Sequence, residues 1–170
     1  MLADGSSARA VHAHAVPLVE VLLPLLADWD IAPVVVATMA RVALGDEVAQ
    51  RLGARCVLVV LGERPGLSAP DSLGAYLTWD PRPGRKDSER NCVSNIRPPH
   101  GLALDTAARI LAGLLVGARL RQLSGVALKD DSPSLGTAQN QSGTTSTPEG
   151  LASGAQRWQR PRDLEPTENA

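Results

Sequence analysis

The chain has 170 residues, 44% of them hydrophobic and 21% charged, enough apolar side chain for one domain with a buried core. Its 17 basic and 18 acidic residues balance, so it lacks the positive field that nucleic-acid or anionic-membrane binding draws on. Residues 18–26 form an apolar run broken by Pro24 and followed by Asp28 and Asp30, short of the roughly 20 residues a membrane span needs, and residues 1–5 lack a secretory signal pattern; the reading is a cytoplasmic protein.

Phe is absent and the aromatic side chains are Trp29, Tyr76, Trp79 and Trp158, so the core falls to Leu, Val, Ile and Ala, a composition suited to a parallel sheet covered by helices. In chain order, Ser6 or Ser7 caps a helix through Ala15, and Pro17 fits the first turn of another to about Ala27, which leaves one kinked helix or two consecutive ones. Residues 33–38, centred on Val34 to Val36, read as a buried strand. Asp46 and Glu47 follow Gly45 at a helix start, where carboxylates favour the dipole, and Gly53 ends that helix. Residues 56–61 and 74–79 read as strands, with a long polar loop over 81–92. Over 104–121, the residues Ala107, Ile110, Leu111, Leu114, Leu115 and Ala118 share one helical face. Residues 125–129 read as a final strand.

This alternation makes residues 1–131 an α/β domain with a mainly parallel sheet and flanking helices. Such a domain usually opens with a strand, yet the chain begins almost at the Asp4-Gly5 turn, so the first strand or strands are expected to be missing. From Ser132 the composition turns to Ser, Thr, Gly, Gln and Pro without apolar periodicity, and 132–170 reads as a disordered tail.

The turn that begins at Gly62 and Glu63 follows a strand at its carboxyl end, where open parallel sheets place ligands. Glu63 offers an acceptor there, and a solvated surface turn is the alternative. Arg41 and Val42 emerge from the preceding strand at the same edge, or serve as a solvated Arg and a core Val. Cys92 lies in a stretch of mixed donors and acceptors suited to amide groups; it has no adjacent His and does not read as a nucleophile. Arg82, Arg85, Lys86 and Arg90 form a basic cluster that reads as solvated loop, and Cys56 reads as core. Cys56 and Cys92 match no zinc spacing, and His12 and His14 lack metal-ligand spacing. No metal site, nucleotide loop or nucleophile elbow is found in the sequence.

Taken together, residues 40–46, 62–67, 71–76, 90–96 and 123–126, in that order, resemble the light (small) chain of ethanolamine ammonia-lyase, over about residues 3–130. The resemblance implies a Rossmann-like subunit, active only with a large subunit, that closes on adenosylcobalamin for the radical conversion of ethanolamine to acetaldehyde and ammonia. It implies cofactor-holding roles for Arg41, Val42, Glu63 and Cys92, none of them catalytic. It further implies a hetero-oligomer, a bacterial microcompartment as a second address, and an N-terminally shortened chain, since family members begin well upstream. Ser6 stands where the family usually has Leu. The alternative reading is a non-enzymatic small-molecule-binding α/β module or an inactive truncated remnant.

Overall fold

A computed structural model describes residues 1–63 and 69–128. The polypeptide runs β1 (Leu2–Ala3), α1 (Ala8–Leu22), a 3-10 turn (Leu23–Leu26), β2 (Val36–Ala37), α2 (Leu44–Arg51), β3 (Cys56–Glu63), β4 (Ser72–Trp79), a 3-10 turn (Asp87–Glu89), β5 (Arg90–Ile96) and α3 (Leu104–Arg121). The five strands form one sheet in the order β2-β1-β3-β4-β5. A strand does stand at the start of the chain: β1 lies between β2 and β3, parallel to both, with Ala3 beside Ala37 and Leu61.

The sheet is mixed, which corrects the mainly parallel expectation. Antiparallel pairing joins β3 to β4 and β4 to β5. Chain length dictates this: a parallel return needs a crossover of about a dozen or more residues, and the segment between Glu63 and Ser72 is too short for one. Two further expectations fail for equally local reasons. The strand expected over 33–38 is reduced to two residues at the sheet edge, with Val34 56% and Val36 73% exposed, because its only neighbour, β1, is itself two residues long. Residues 125–128 form a turn, since Gly125 has φ +90° and the Asn91 side chain donates to the carbonyls of Gly125 and Leu128 and accepts from the Gly125 amide, occupying the groups a strand would pair. Residue 129 and the tail over 132–170 lie outside the described residues.

α1 is one continuous helix with Pro17 inside it, capped by Ser7, whose hydroxyl accepts from the Ala10 amide at 3.2 Å. With the following turn it makes an apolar stretch, Ala8–Leu26, long enough by composition to cross a membrane, but Ala10, Ala15, Leu18, Leu22 and Leu26 are spent on the core. That core also takes Val60, Leu73, Leu77, Ile96 and the buried stripe of α3, so α1 and α3 cover one face of the sheet. α2 covers part of the other face, where Ala49 packs on Val57 and Val59.

A buried ion pair fixes α2 in place. Arg90 donates through Nη1 to Asp46 Oδ1 at 2.8 Å and through Nη2 to Oδ2 at 2.6 Å, with Nη1 also 2.7 Å from Thr78 Oγ1. Their side chains are 3% and 1% exposed. Arg90 is thus no solvated loop residue but the first residue of β5, and its guanidinium is held in its charged form by the Asp46 carboxylate. Gly45 lies so close to β3 that a Cβ there would come within 2.3 Å of Val59 Cγ2.

Removing one member of such a pair leaves a lone buried charge. Asp46→Leu should therefore lower stability by about 3–5 kcal/mol in urea unfolding, and adding Arg90→Met should recover most of that loss; a double variant no more stable than the single would contradict the pairing. Gly62→Ala should also destabilise, by about 1–3 kcal/mol or more, because its Cβ would meet Ser7 O at 2.0 Å and Asp4 O at 2.5 Å; wild-type stability in thermal unfolding would refute that packing.

Candidate functional site

Strand register decides which side chains can meet, because residues opposite one another in paired strands point to the same face. Val59 pairs with Tyr76 and Tyr76 with Cys92, which makes one row across β3, β4 and β5. Toward the carboxyl end of β3, Leu61 pairs with Gly74 and Glu63 with Ser72. All of these lie on the α2 face. α2 covers Val57 and Val59 and stops short of the rest, leaving Glu63 and Tyr76 half-buried and Cys92 exposed.

The Tyr76 hydroxyl donates to Glu63 Oε1, and Cys92 stands directly opposite Tyr76 on β5. Burial, followed by the bond to Glu63, pushes the Tyr76 phenol far above its ordinary pKa. Burial also raises the Cys92 thiol, with the neighbouring Tyr76 hydroxyl pulling it partly back. Gly74 makes room for the carboxylate: a Cβ at that position would sit 2.3 Å from Glu63 Oε1 and 2.4 Å from its Cδ. Beside it, the hydroxyl of Ser72 is fully buried and, among the described residues, has no hydrogen-bond partner.

Arg41 and Val42 form the turn that enters α2, their carbonyls accepting from the Leu44 and Gly45 amides at 3.0 Å each. Because β2, β1 and β3 are parallel, this turn follows the carboxyl end of β2 at the edge where β3 ends in Glu63. Arg41 is exposed and Val42 half-buried. Among the described residues no hydrogen bond joins Arg41 to Glu63, Tyr76 or Cys92. Cys92 sits within β5 rather than in the polar loop expected to run to it. Of the Gly62 turn, residues 64–66 lie outside the described residues.

Chemically the face is mixed: a carboxylate acceptor, a phenol, a thiol, and a guanidinium nearby. Ahead of α1 the Ser6 and Ser7 amides donate to the Gly62 carbonyl at 2.9 and 3.2 Å, and the Ala10 amide is taken by the Ser7 hydroxyl. The arrangement suits a neutral ligand rich in amide groups better than a phosphate. Neither thiol is set up as a nucleophile: Cys56 lies on the α1 face with its pKa pushed up to about 11 by burial. A groove of about 610 Å³ opens at the opposite edge of the sheet, lined by residues such as Leu22, Leu26, Ile31, Val34 and Cys56, and its lining does not include Arg41, Glu63, Tyr76 or Cys92.

Sequence reasoning had no role for Tyr76, Gly74 or Ser72. The signal was present as a period of two: Ser72, Gly74 and Tyr76 alternate with Leu73, Ala75 and Leu77, so once β4 is a strand they must share the face opposite the core.

Residues 1–129 match the family model of the ethanolamine ammonia-lyase light chain (EutC). Among curated proteins, the ethanolamine ammonia-lyase small subunit of Bradyrhizobium diazoefficiens is 61% identical over 135 residues, covering 78% of this chain and 51% of that protein. The small subunit of Rhodopseudomonas palustris is 59% identical over 134 residues, with 78% and 51% covered, and that of Rhodococcus erythropolis 52% identical over 133 residues, with 78% and 52% covered. The chain spans about half the length of the curated relatives it matches. A match over residues 1–129, joined to identities above half, makes this chain a member of the ethanolamine ammonia-lyase light chain family.

Proposed function

We propose that this chain acts as a small subunit of ethanolamine ammonia-lyase, holding the periphery of adenosylcobalamin against a large subunit that carries the substrate site. The observation that supports this most is the open polar row Glu63–Tyr76–Cys92 at the carboxyl side of the sheet, on the same face as α2 and its Arg41–Val42 entry turn. Corrin side chains are largely amides, each with a donor and an acceptor, and this row offers both kinds of partner without a concentrated charge.

In this reading Glu63 accepts from an amide N–H, Arg41 donates to an amide carbonyl, Val42 gives apolar contact at the rim, and the Cys92 edge packs against the flat ring. Bound adenosylcobalamin supplies the radical chemistry that converts ethanolamine to acetaldehyde and ammonia. The residues of this chain orient the cofactor and exclude water, and none moves a proton in the reaction. The Rossmann-like part of the subunit is the β2-β1-β3 portion, with α1 and α2 on opposite faces. The assembly is assigned to the cytoplasm or a bacterial microcompartment, as a hetero-oligomer without nucleic-acid or membrane partners.

A second reading is a non-enzymatic small-molecule-binding α/β module, since the chain spans about half the length of the curated relatives it matches. Co-expression with a cognate large subunit distinguishes the two. The first reading predicts copurification and cobalamin-dependent release of ammonia from ethanolamine; absence of both leaves the second. In the assembled enzyme, Glu63→Gln and Arg41→Ala should each weaken cobalamin binding about tenfold or more, because a hydrogen bond to a charged group is worth ~1.5–3 kcal/mol. Wild-type affinity in both variants, measured by absorbance titration, would reject the site assignment.

A further inference from the structure

Tyr76 lies at the centre of the row, between Glu63 and Cys92, yet the proposed function gives its hydroxyl no contact of its own with the cofactor. A tyrosine on a half-covered sheet face could simply fill space, and its ring does pack beside Ala49, Val57 and Val59. The hydroxyl is what calls for explanation. It reaches past this apolar cluster to the Glu63 carboxylate, from the residue of β4 that register sets opposite Val59 rather than opposite Glu63. That diagonal reach crosses Gly74, the one position between them on this face, where a side chain would collide with the carboxylate. Glycine weakens a strand interior, so its use here is a cost offset by what it lets the neighbours do.

A glutamate at the end of a strand has three side-chain torsions and ordinarily samples many of them, and freezing such a chain on binding costs roughly 1–2 kcal/mol. Here the carboxylate is pinned before any ligand arrives, with Oε1 bound by the phenol and the group lying over the Gly74 backbone.

We infer that Tyr76 is a positioning residue: with Gly74 as its gap, it holds Glu63 in a single orientation so that the carboxylate meets an amide-bearing ligand preorganised. This rests on the cofactor-holding reading of the α2 face and deepens it. Tyr76 itself need not touch the ligand.

The test is a cycle in the complex assembled with the large subunit, titrated with adenosylcobalamin: wild type, Tyr76→Phe, Glu63→Gln and the double variant. Tyr76→Phe keeps the ring and its packing, and should weaken binding about threefold to tenfold. The double variant should bind no more weakly than Glu63→Gln alone, since Tyr76 acts through Glu63. Unchanged affinity in Tyr76→Phe beside a weakened Glu63→Gln overturns this inference and leaves the cofactor reading standing; so do losses that multiply in the double variant. Unchanged affinity in Glu63→Gln overturns the cofactor reading and this inference with it.

Discussion

A guanidinium inside a protein must meet a carboxylate or forfeit several kcal/mol of hydration, and here that requirement joins the second helix to the last strand. Asp46 and Arg90 are 44 residues apart in sequence and almost completely buried together. An apolar contact in the same place would let α2 slide along the sheet; two parallel N–H to oxygen bonds, with Thr78 as a third partner, fix both its position and its rotation. Gly45, one residue earlier, removes the side chain that would hold the helix away from Val59. Everything proposed for the α2 face follows from where this helix stops.

Because α2 is short and anchored at that point, it shelters the amino half of β3 and leaves the carboxyl half open. The open part is polar in a particular way. Its phenol donates to its carboxylate, so the face presents an ordered acceptor rather than a loose collection of groups. Ahead of α1 the Gly62 carbonyl accepts from the Ser6 and Ser7 amides, with Gly5 and Gly62 allowing that backbone approach.

Much of this was legible in the sequence, and the failures have physical reasons. α3 carried a strong period of 3.6 and its bounds match the reading residue for residue; the Ser7 cap and the α2 start followed from local chemistry. Strand direction was misjudged because composition suggested parallel pairing, while the short β3–β4 connection, also visible in the sequence, forbids it. Val34 to Val36 have the composition of a buried strand but lie at an edge, which residue type cannot reveal. Glu63 and Cys92 could be singled out as polar residues, but their link through Tyr76 depends on cross-strand register, a long-range property. Arg90 shows the same limit: among neighbouring basic residues it resembled solvated loop, and only its partner Asp46, far away in sequence, makes it a core residue.

The central claim is that one face of this sheet, from the Arg41–Val42 turn across Glu63 and Tyr76 to Cys92, receives the cofactor. Hydrogen–deuterium exchange on the assembled complex, with and without adenosylcobalamin, addresses it directly. Added protection should concentrate at the entry to α2, the carboxyl end of β3 and the facing parts of β4 and β5, with no change around the apolar groove near Ile31 and Val34. Protection confined to that groove, or none in this chain, would contradict the account.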